Sequence, residues 1–155
     1  MELSKNSKIV QEYLAKFDLN LEVLEMPSTT RTAEEAANAI GCEVAQIVKS
    51  LIFKNEESPI LFLVSGINQL DVNKFQELNF IKLEKANADY VKEITGFSIG
   101  GVPPVAHKTK MNTFIDKDLL NYEIIWAAAG MPNSVFKIYS KDLEKITNGK
   151  IIDIN

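Results

Sequence analysis

Three segments of this 155-residue chain contain residue types that could form a chemical site. In QIVKSLIF, Lys49 stands among apolar residues; GGVPP (100–104) combines glycines with prolines; WAAAGMPNSVF (126–136) holds a run of small residues. A lysine supplies a fixed positive charge, and glycines let a ligand approach the backbone. Together these residue types indicate a site that binds and orients a ligand, and no nucleophile stands out among them.

Lys49 has two interpretations. We predict a short helix over 43–49 and a strand over 51–54, and a single lysine at such a junction is usually a solvated surface charge. Its neighbours are apolar, however, so its stem must cross or line a packed region, where the ammonium can act as a fixed charge. Those neighbours are Ile47, Val48, Leu51, Ile52 and Phe53.

The glycine and proline loop also has two interpretations. It could be a tight connection between strands, or it could orient a ligand, because glycines admit close approach while prolines hold backbone donors and acceptors rigid. The AAAG run could permit close strand packing, or it could form the floor under a flat ring. The candidate loop residues are Gly100, Gly101, Val102, Pro103 and Pro104.

Other reactive residue types are scarce. His107 is the only histidine, so a Ser-His-Asp or Cys-His centre would have to use it, and a His-rich metal site cannot be assembled. His107 could be a general base or an exposed loop side chain. Cys42 follows a predicted helix end and is predicted to be a small buried hydrophobe. Three aspartates at turn and cap positions, Asp71, Asp116 and Asp118, receive no chemical assignment.

Composition narrows the class of protein. Lys plus Arg number 17 and Asp plus Glu 21, so the formal charge is -4, which argues against binding nucleic acid by bulk charge and leaves a small contact open. The length and the 46% hydrophobic content suit one domain over 1–155. A single cysteine favours a reducing, cytoplasmic setting. No stretch approaches the ~20 apolar residues of a membrane span, and the N-terminus lacks a secretory apolar core.

Periodicity predicts a mixture of helices and strands. Thr32 and Glu35 form a capping box at one helix start, Gly41 and Gly96 end helices, and Ser140 is predicted to cap the last helix. This mixed order, without repeats or linkers, suggests one α+β domain. Helices are predicted near 9–17, 32–40, 43–49, 71–78, 88–95 and 141–146, and strands near 19–26, 51–54, 60–64, 80–83, 113–115, 123–129, 134–139 and 151–155.

Taken together, these segments resemble the YbaK/EbsC family, the free-standing relatives of the editing domain inserted in bacterial prolyl-tRNA synthetases. The resemblance implies an α+β domain whose curved, mostly antiparallel mixed sheet and surrounding helices form a small pocket. It also implies deacylation of wrongly charged tRNA without a metal or an organic cofactor. The segments that carry it are RTAEEAANAIG, QIVKSLIF, LVSG, EITGFSIGGVPPVAH and WAAAGMPNSVFKIYSKDLEKITNG.

The resemblance also implies roles for particular residues. Lys49 corresponds to the family's functional lysine, its Gly-x-x-x-Pro loop falls on Gly100 to Pro104, and Gly130 matches the glycine of an AG segment beside the pocket. Ala106 departs from the glycine that related chains often have there, and it restricts the backbone. The implied partners are a mischarged tRNA, with tRNA(Pro) and an alanine- or cysteine-like residue expected, and a prolyl-tRNA synthetase.

Two other function classes stay open. A binding module could recognise an aminoacyl or nucleotide-like group without hydrolysing it, although a lysine in place of a neutral residue argues against this. A structural interaction domain would need an exposed apolar patch. For the enzyme, we hypothesise that Lys49 places positive charge near the developing oxyanion or the terminal phosphate while the loop backbone holds the ester carbonyl.

Overall fold

One eight-stranded mixed sheet organises the fold in a computed structural model, which describes residues 2–155. Its strands are β1 (Val23–Glu25), β2 (Ile47–Asn55), β3 (Ser58–Ser65), β4 (Glu84–Lys85), β5 (Asn112–Asp116), β6 (Ile124–Ala128), β7 (Ser134–Tyr139) and β8 (Lys150–Ile152). The α-helices in this range are α1 (Lys5–Leu14), α2 (Ala33–Ile40), α3 (Val72–Asn79), α4 (Ala88–Thr95) and α5 (Ser140–Thr147). Single 3-10 turns occupy Val44–Gln46 and Lys117–Asn121.

The strand order is β1-β7-β6-β2-β3-β5-β8, and β4 also pairs with β2. Pairing is antiparallel for β1/β7, β6/β7, β2/β3 and β2/β4, and parallel for β2/β6, β3/β5 and β5/β8. The predicted α+β class with a mostly antiparallel mixed sheet is therefore confirmed. At its centre, the β2–β3 hairpin pairs continuously from Val48↔Ser65 to Asn55↔Ser58.

Because side chains alternate along a strand, the central hairpin supplies both faces of the sheet with core residues. Leu61 and Leu63 pack with residues of α1, α4 and α5 on one face. Phe62 points to the other face, where its ring lies 4.9 Å from Phe75 of α3 between centroids. On that second face, alanines of α2 form a separate cluster with Ile47. Small alanine side chains let α2 lie close to β2, so the start of this helix is positioned beside the strand.

Several local predictions are confirmed. The capping box at the start of α2 is present, with the Thr32 hydroxyl accepting from the Glu35 N–H and the Glu35 carboxylate accepting from the Thr32 N–H. Gly41 and Gly96 end α2 and α4 in the left-handed conformation, both at φ 86°. These ends follow from local chemistry, and sequence alone suffices to find them.

Other local predictions are wrong. The helix predicted over 43–49 shrinks to the turn Val44–Gln46, so Lys49 lies inside β2 and not at a junction. The strand predicted over 80–83 is absent there; Phe80 is left-handed and 94% exposed, and the strand is Glu84–Lys85. Ser140 is the first residue of α5, and its hydroxyl donates to the Tyr122 carbonyl instead of capping the helix.

Two glycines with positive φ provide a matched stability test. At Gly130 (φ +104°), an added Cβ would lie 2.8 Å from the Asn6 carbonyl oxygen, whereas at Gly41 (φ +86°) it would meet nothing within 4 Å. We expect Gly130→Ala to lower the free energy of unfolding by about 3 kcal/mol and Gly41→Ala by about 1 kcal/mol, because only the first adds a clash to backbone strain. Urea denaturation measures both, and equal losses would contradict the packing described for Gly130.

Candidate active site

A cavity of about 320 Å³ occupies a split in the sheet between β2 and β6. These parallel strands pair only at Ile47↔Trp126 and Val48↔Ala127. One edge of β2 is occupied by β3, so β4 and β6 both pair with the other edge. On that edge, β4 pairs with β2 only at Phe53 and Lys54. Among residues 2–155, the stretch of β2 between them therefore has no strand partner on this edge, and it borders the cavity.

The cavity is lined by β2, β6, the start of α2 and the loop around residue 100. Because it lies in the split, residues from both faces of β2, including Lys49 and Ser50, line it. Most of the wall is apolar, which is typical of a ligand cavity with a few placed polar groups. The lining includes Glu34, Lys49, Ser50, Gly100, Val102 and Trp126.

Lys49 is partly buried, and its ammonium is held by a network behind the cavity. Its Nζ donates to the Asn68 carbonyl oxygen at 2.5 Å. The Asn68 amide nitrogen donates to carboxylate oxygens of Asp116 and Asp118, each at 2.8 Å. Asp116 is fully buried and also accepts the Ser65 N–H at 3.0 Å. The position of the lysine therefore depends on residues of β3, β5 and the turn after β3.

Burial lowers the pKa of Lys49 below its ordinary value, and the carboxylates of Glu34 and Asp116 oppose this shift. The ammonium is thus a partly desolvated cation with only partial compensation. A cation in this condition interacts more strongly with a negative ligand group than a fully solvated lysine does. The site is suited to stabilising negative charge in the cavity.

Ser50 lies at the centre of the split and was not identified from the sequence. The Ile47 carbonyl accepts the Gly66 N–H on the β3 side. Because backbone groups alternate between the two edges of a strand, Val48 and Ser50 direct theirs toward β6. The ladder ends at Val48↔Ala127, which leaves the Ser50 N–H and C=O facing the split. Its hydroxyl is buried and has no hydrogen-bond partner within residues 2–155.

The glycine and proline loop forms one wall of the cavity. Gly100 (φ 96°) and Val102 line it, whereas Gly101, Pro103 and Pro104 are buried and lie outside the lining. The Gly130 N–H donates to the Gly101 carbonyl oxygen at 2.9 Å, which joins two of the predicted segments.

Gly130 itself supports the wall from behind. It packs against the Asn6 backbone and Phe97 and lies outside the lining, whereas Ala127 and Ala128 before it line the cavity. The structure thus places Lys49, Gly100 and Val102 at the cavity surface and the other predicted residues in a supporting layer.

His107 belongs to the supporting layer and does not line the cavity. It is partly buried, and its Nε2 lies 2.6 Å from the Pro103 carbonyl oxygen. Since a carbonyl only accepts, this hydrogen bond places the proton of the neutral ring on Nε2. Ala106 before it has φ 67°, a left-handed conformation that glycine adopts without strain. His107 is therefore not the exposed side chain considered as one alternative, and its role as a general base stays a prediction.

A second, more open groove of about 730 Å³ adjoins the cavity. Both are lined by Arg31, Thr32, Ile99 and Gly100. Arg31 is the only arginine of the chain, and its guanidinium makes no ion pair or hydrogen bond within the described residues. Its stem lies over Gly100, where an added Cβ would be 3.3 Å from Arg31 Cβ, Cγ and Nε. Sequence reasoning missed Arg31, although its uniqueness was a usable signal.

The remaining candidate groups have local roles. Asp71 caps α3 by accepting the Lys74 N–H, as predicted, and Cys42 is only partly buried beside the alanines of α2. Within residues 2–155, no group of three His, Cys, Asp or Glu side chains could hold a metal ion. No helix in the same range is long and apolar enough to cross a membrane.

The fold and site define a class of small α+β domains with a lysine in a split of the sheet. Residues 27–146 match the model of the family described as "Aminoacyl-tRNA editing domain". Since the match covers most of the chain, the chain belongs to this family, and the resemblance recognised in the sequence is confirmed.

Individual relatives agree with this membership. The chain is 31% identical over 119 residues to a proline–tRNA ligase of Thermoanaerobacter sp. (strain X514), covering 74% of this chain and 20% of the ligase. It is 28% identical over 149 residues to YwhH, an uncharacterised protein of Bacillus subtilis (strain 168), covering 95% of each. A crystal structure described as "a putative trans-editing enzyme for prolyl tRNA synthetase" superposes with TM-score 0.93 and 45% identity, covering 99% of both chains.

The buried carboxylate behind Lys49 predicts a difference between two aspartates. In Asp116→Asn, the new amide group would face donors from Ser65 and Asn68, so we expect a loss of about 2 kcal/mol in unfolding free energy. Asp71→Asn is the matched control, because asparagine caps a helix as well as aspartate does. Chemical denaturation compares the two variants. An unchanged free energy of unfolding in Asp116→Asn would show that the network does not need the carboxylate.

The buried His107 ring predicts how stability depends on pH. Burial lowers the pKa of His107 below its ordinary 6.5, so between the two pKa values the unfolded chain binds more protons than the folded one. Folding stability is therefore fully present above about pH 6.5 and falls as the pH drops toward the folded pKa. Melting curves of the wild type and His107→Gln from pH 4.5 to 8 should diverge on the acidic side, and parallel curves would contradict this assignment.

Proposed function

We propose that the protein is a trans-editing aminoacyl-tRNA deacylase. It hydrolyses the ester between a small mischarged amino acid, alanine- or cysteine-like, and the 3′ end of tRNA(Pro). The observation that carries this proposal is the partly buried Lys49 lining a small cavity in a chain of the aminoacyl-tRNA editing family. The similarity to proline–tRNA ligases supports the choice of tRNA.

The size of the cavity supports selection of a small amino acid. A volume of about 320 Å³ is near the lower end for ligand sites and suits a small acyl group with part of a ribose. Apolar contacts separate ligands that differ by one methylene by only about 1–3 kcal/mol. Steric exclusion of the proline ring by the walls is therefore the more effective sieve.

The chemistry requires little from side chains other than position and charge. The ester is already activated, so binding and orientation supply much of the acceleration. Water, the neighbouring ribose hydroxyl or the side chain of the substrate attacks the carbonyl carbon. The Lys49 ammonium stabilises negative charge on the oxyanion or the terminal phosphate, and the loop backbone at Gly100 orients the carbonyl. In this proposal neither a metal nor an organic cofactor takes part.

In the bound complex, the tRNA strand extends from the cavity along the adjoining groove. That groove shares Arg31 with the cavity, and a free guanidinium is suited to a backbone phosphate. With a net charge of -4, the protein binds bare tRNA modestly, and a prolyl-tRNA synthetase partner in the cytoplasm contributes to selection of the tRNA.

The test is release of amino acid from tRNA(Pro) charged separately with alanine, cysteine and proline. We expect release of a small residue while proline stays attached, and we expect Lys49→Ala to lower kcat/KM at least about 100-fold through loss of charge stabilisation. Lys49→Arg keeps the charge with a different shape and should recover only part of the rate. Lys54→Ala, on the same strand but outside the cavity lining, is the matched control.

Full activity of Lys49→Ala would refute the role of the lysine. If the wild type releases nothing from this panel or from other charged tRNAs, the protein is a binding module instead. A binding module would still be stabilised thermally by an uncleavable aminoacyl-adenosine analogue.

A further inference from the structure

We propose that the gap in the β2 ladder at Ser50 is an oxyanion-binding site, in which the Ser50 N–H and hydroxyl both donate to the carbonyl oxygen of the substrate ester. This inference rests on the proposed function and names a catalytic group in addition to Lys49. It assigns to the strand edge, rather than to the glycine and proline loop, the donors that receive the developing negative charge.

The Ser50 hydroxyl is a donor without an acceptor among the described residues. Ser50 Oγ is buried, has no hydrogen-bond partner within residues 2–155, and belongs to a residue that lines the cavity. A buried hydroxyl without a partner is destabilising, and it has already lost its hydration. Because protein atoms cover this oxygen, it donates to a ligand oxygen in the cavity after rotation of the Ser50 side chain about χ1.

The Ser50 backbone N–H supplies a second donor, which is independent of the side chain. The pairing of β2 with β6 ends at Val48↔Ala127, and pairing with β4 starts at Phe53. Ser50 falls between them, with its N–H directed toward the cavity by the alternation of the strand. Unpaired backbone N–H groups in rigid structure are the usual donors of an oxyanion site because they need no reorganisation during the reaction.

Lys49 provides a positive charge, and Ser50 at the next position provides two hydrogen-bond donors. Their side chains project to opposite faces of β2, and both residues line the cavity in the split. The Lys49 ammonium is fixed through Asn68, while Ser50 is fixed by the continuous β2–β3 ladder. A carbonyl oxygen at the split can thus receive two hydrogen bonds and the field of a partly desolvated cation.

The reaction balances without any added reagent. A water oxygen bonds to the carbonyl carbon, and the π electron pair moves to the carbonyl oxygen, which accepts the two Ser50 hydrogen bonds. When the tetrahedral intermediate collapses, the bond to the ribose oxygen breaks, and this oxygen takes the proton given up by the attacking water. The products are the free amino acid and the tRNA with its 3′-terminal hydroxyl restored.

Steady-state deacylation by Ser50→Ala tests the proposal. Removal of one oxyanion donor typically costs 10²–10³ in kcat, so we expect a loss of about 100-fold with KM nearly unchanged, because the donor acts mainly in the transition state. Ser50→Thr keeps the hydroxyl and should remain within about 10-fold of the wild type. Ser58→Ala, an exposed serine of the same hairpin, is the matched control and should be fully active.

A binding measurement separates catalysis from folding. An uncleavable amide analogue of aminoacyl-adenosine should shift the melting temperature of Ser50→Ala as much as that of the wild type, whereas a tetrahedral phosphonate analogue should bind Ser50→Ala at least about 10-fold more weakly. If Ser50→Ala does not fold, Ser50→Cys keeps the volume with a weaker donor and should show the same pattern.

The outcomes distinguish this inference from the proposed function. If the wild type is active and Ser50→Ala keeps its kcat, the oxyanion site is overturned while the deacylase stands. If Ser50→Ala has a higher KM as well as a lower kcat and binds the amide analogue poorly, Ser50 contributes to binding of the ground-state substrate. The inference is then also overturned. If the wild type releases no amino acid from any charged tRNA, the proposed function fails and the oxyanion site fails with it.

Discussion

The divergence of β2 from β6 is the constraint on which the rest of the site depends. Parallel pairing lasts for only two residues, and everything that lines the cavity is defined relative to the place where it stops. A continuous ladder would fill the space between β2 and β6 with backbone hydrogen bonds, and Lys49 and Ser50 would then lie in a closed sheet without a cavity beside them. The long β2–β3 hairpin on the other edge keeps β2 rigid in spite of its missing partner. An open strand edge inside the protein is thereby tolerated and becomes a row of available hydrogen-bonding groups.

The lysine beside this gap is retained at an energetic cost that a buried network partly offsets. Burial disfavours its ammonium, as the lowered pKa shows, and the nearest compensation comes from a backbone carbonyl and two carboxylates rather than from a direct ion pair. A direct carboxylate partner would neutralise the charge and leave little field for a ligand. The fully buried Asp116 acts one step away, through Asn68, so the lysine is held in place without being neutralised.

In the two glycine-containing segments, several residues that match the family's motifs have a packing role and do not contact the cavity. Gly101 and Gly130 bring their backbones together by a direct hydrogen bond, and a side chain at either would push against backbone atoms. Gly100 instead lets the Arg31 stem cross the loop between the cavity and the groove. The same motif thus contains one residue at the cavity wall and others that support it, a division visible only once the chain is folded.

Sequence alone determined the features that depend on neighbours along the chain. The capping box at Thr32, the ends at Gly41 and Gly96, the buried run of β3, the α+β class and the choice of Lys49 as a candidate site residue were all accessible, because caps, periodicity and motif spacing are local. Tertiary structure decided the rest. Lys49 lies within a strand, Phe80 ends a helix, and Ser50 and Arg31 border the cavity and groove because distant strands pair, or fail to pair, beside them. Such pairing depends on the packing of residues far apart in sequence, and no local pattern encodes where a ladder ends.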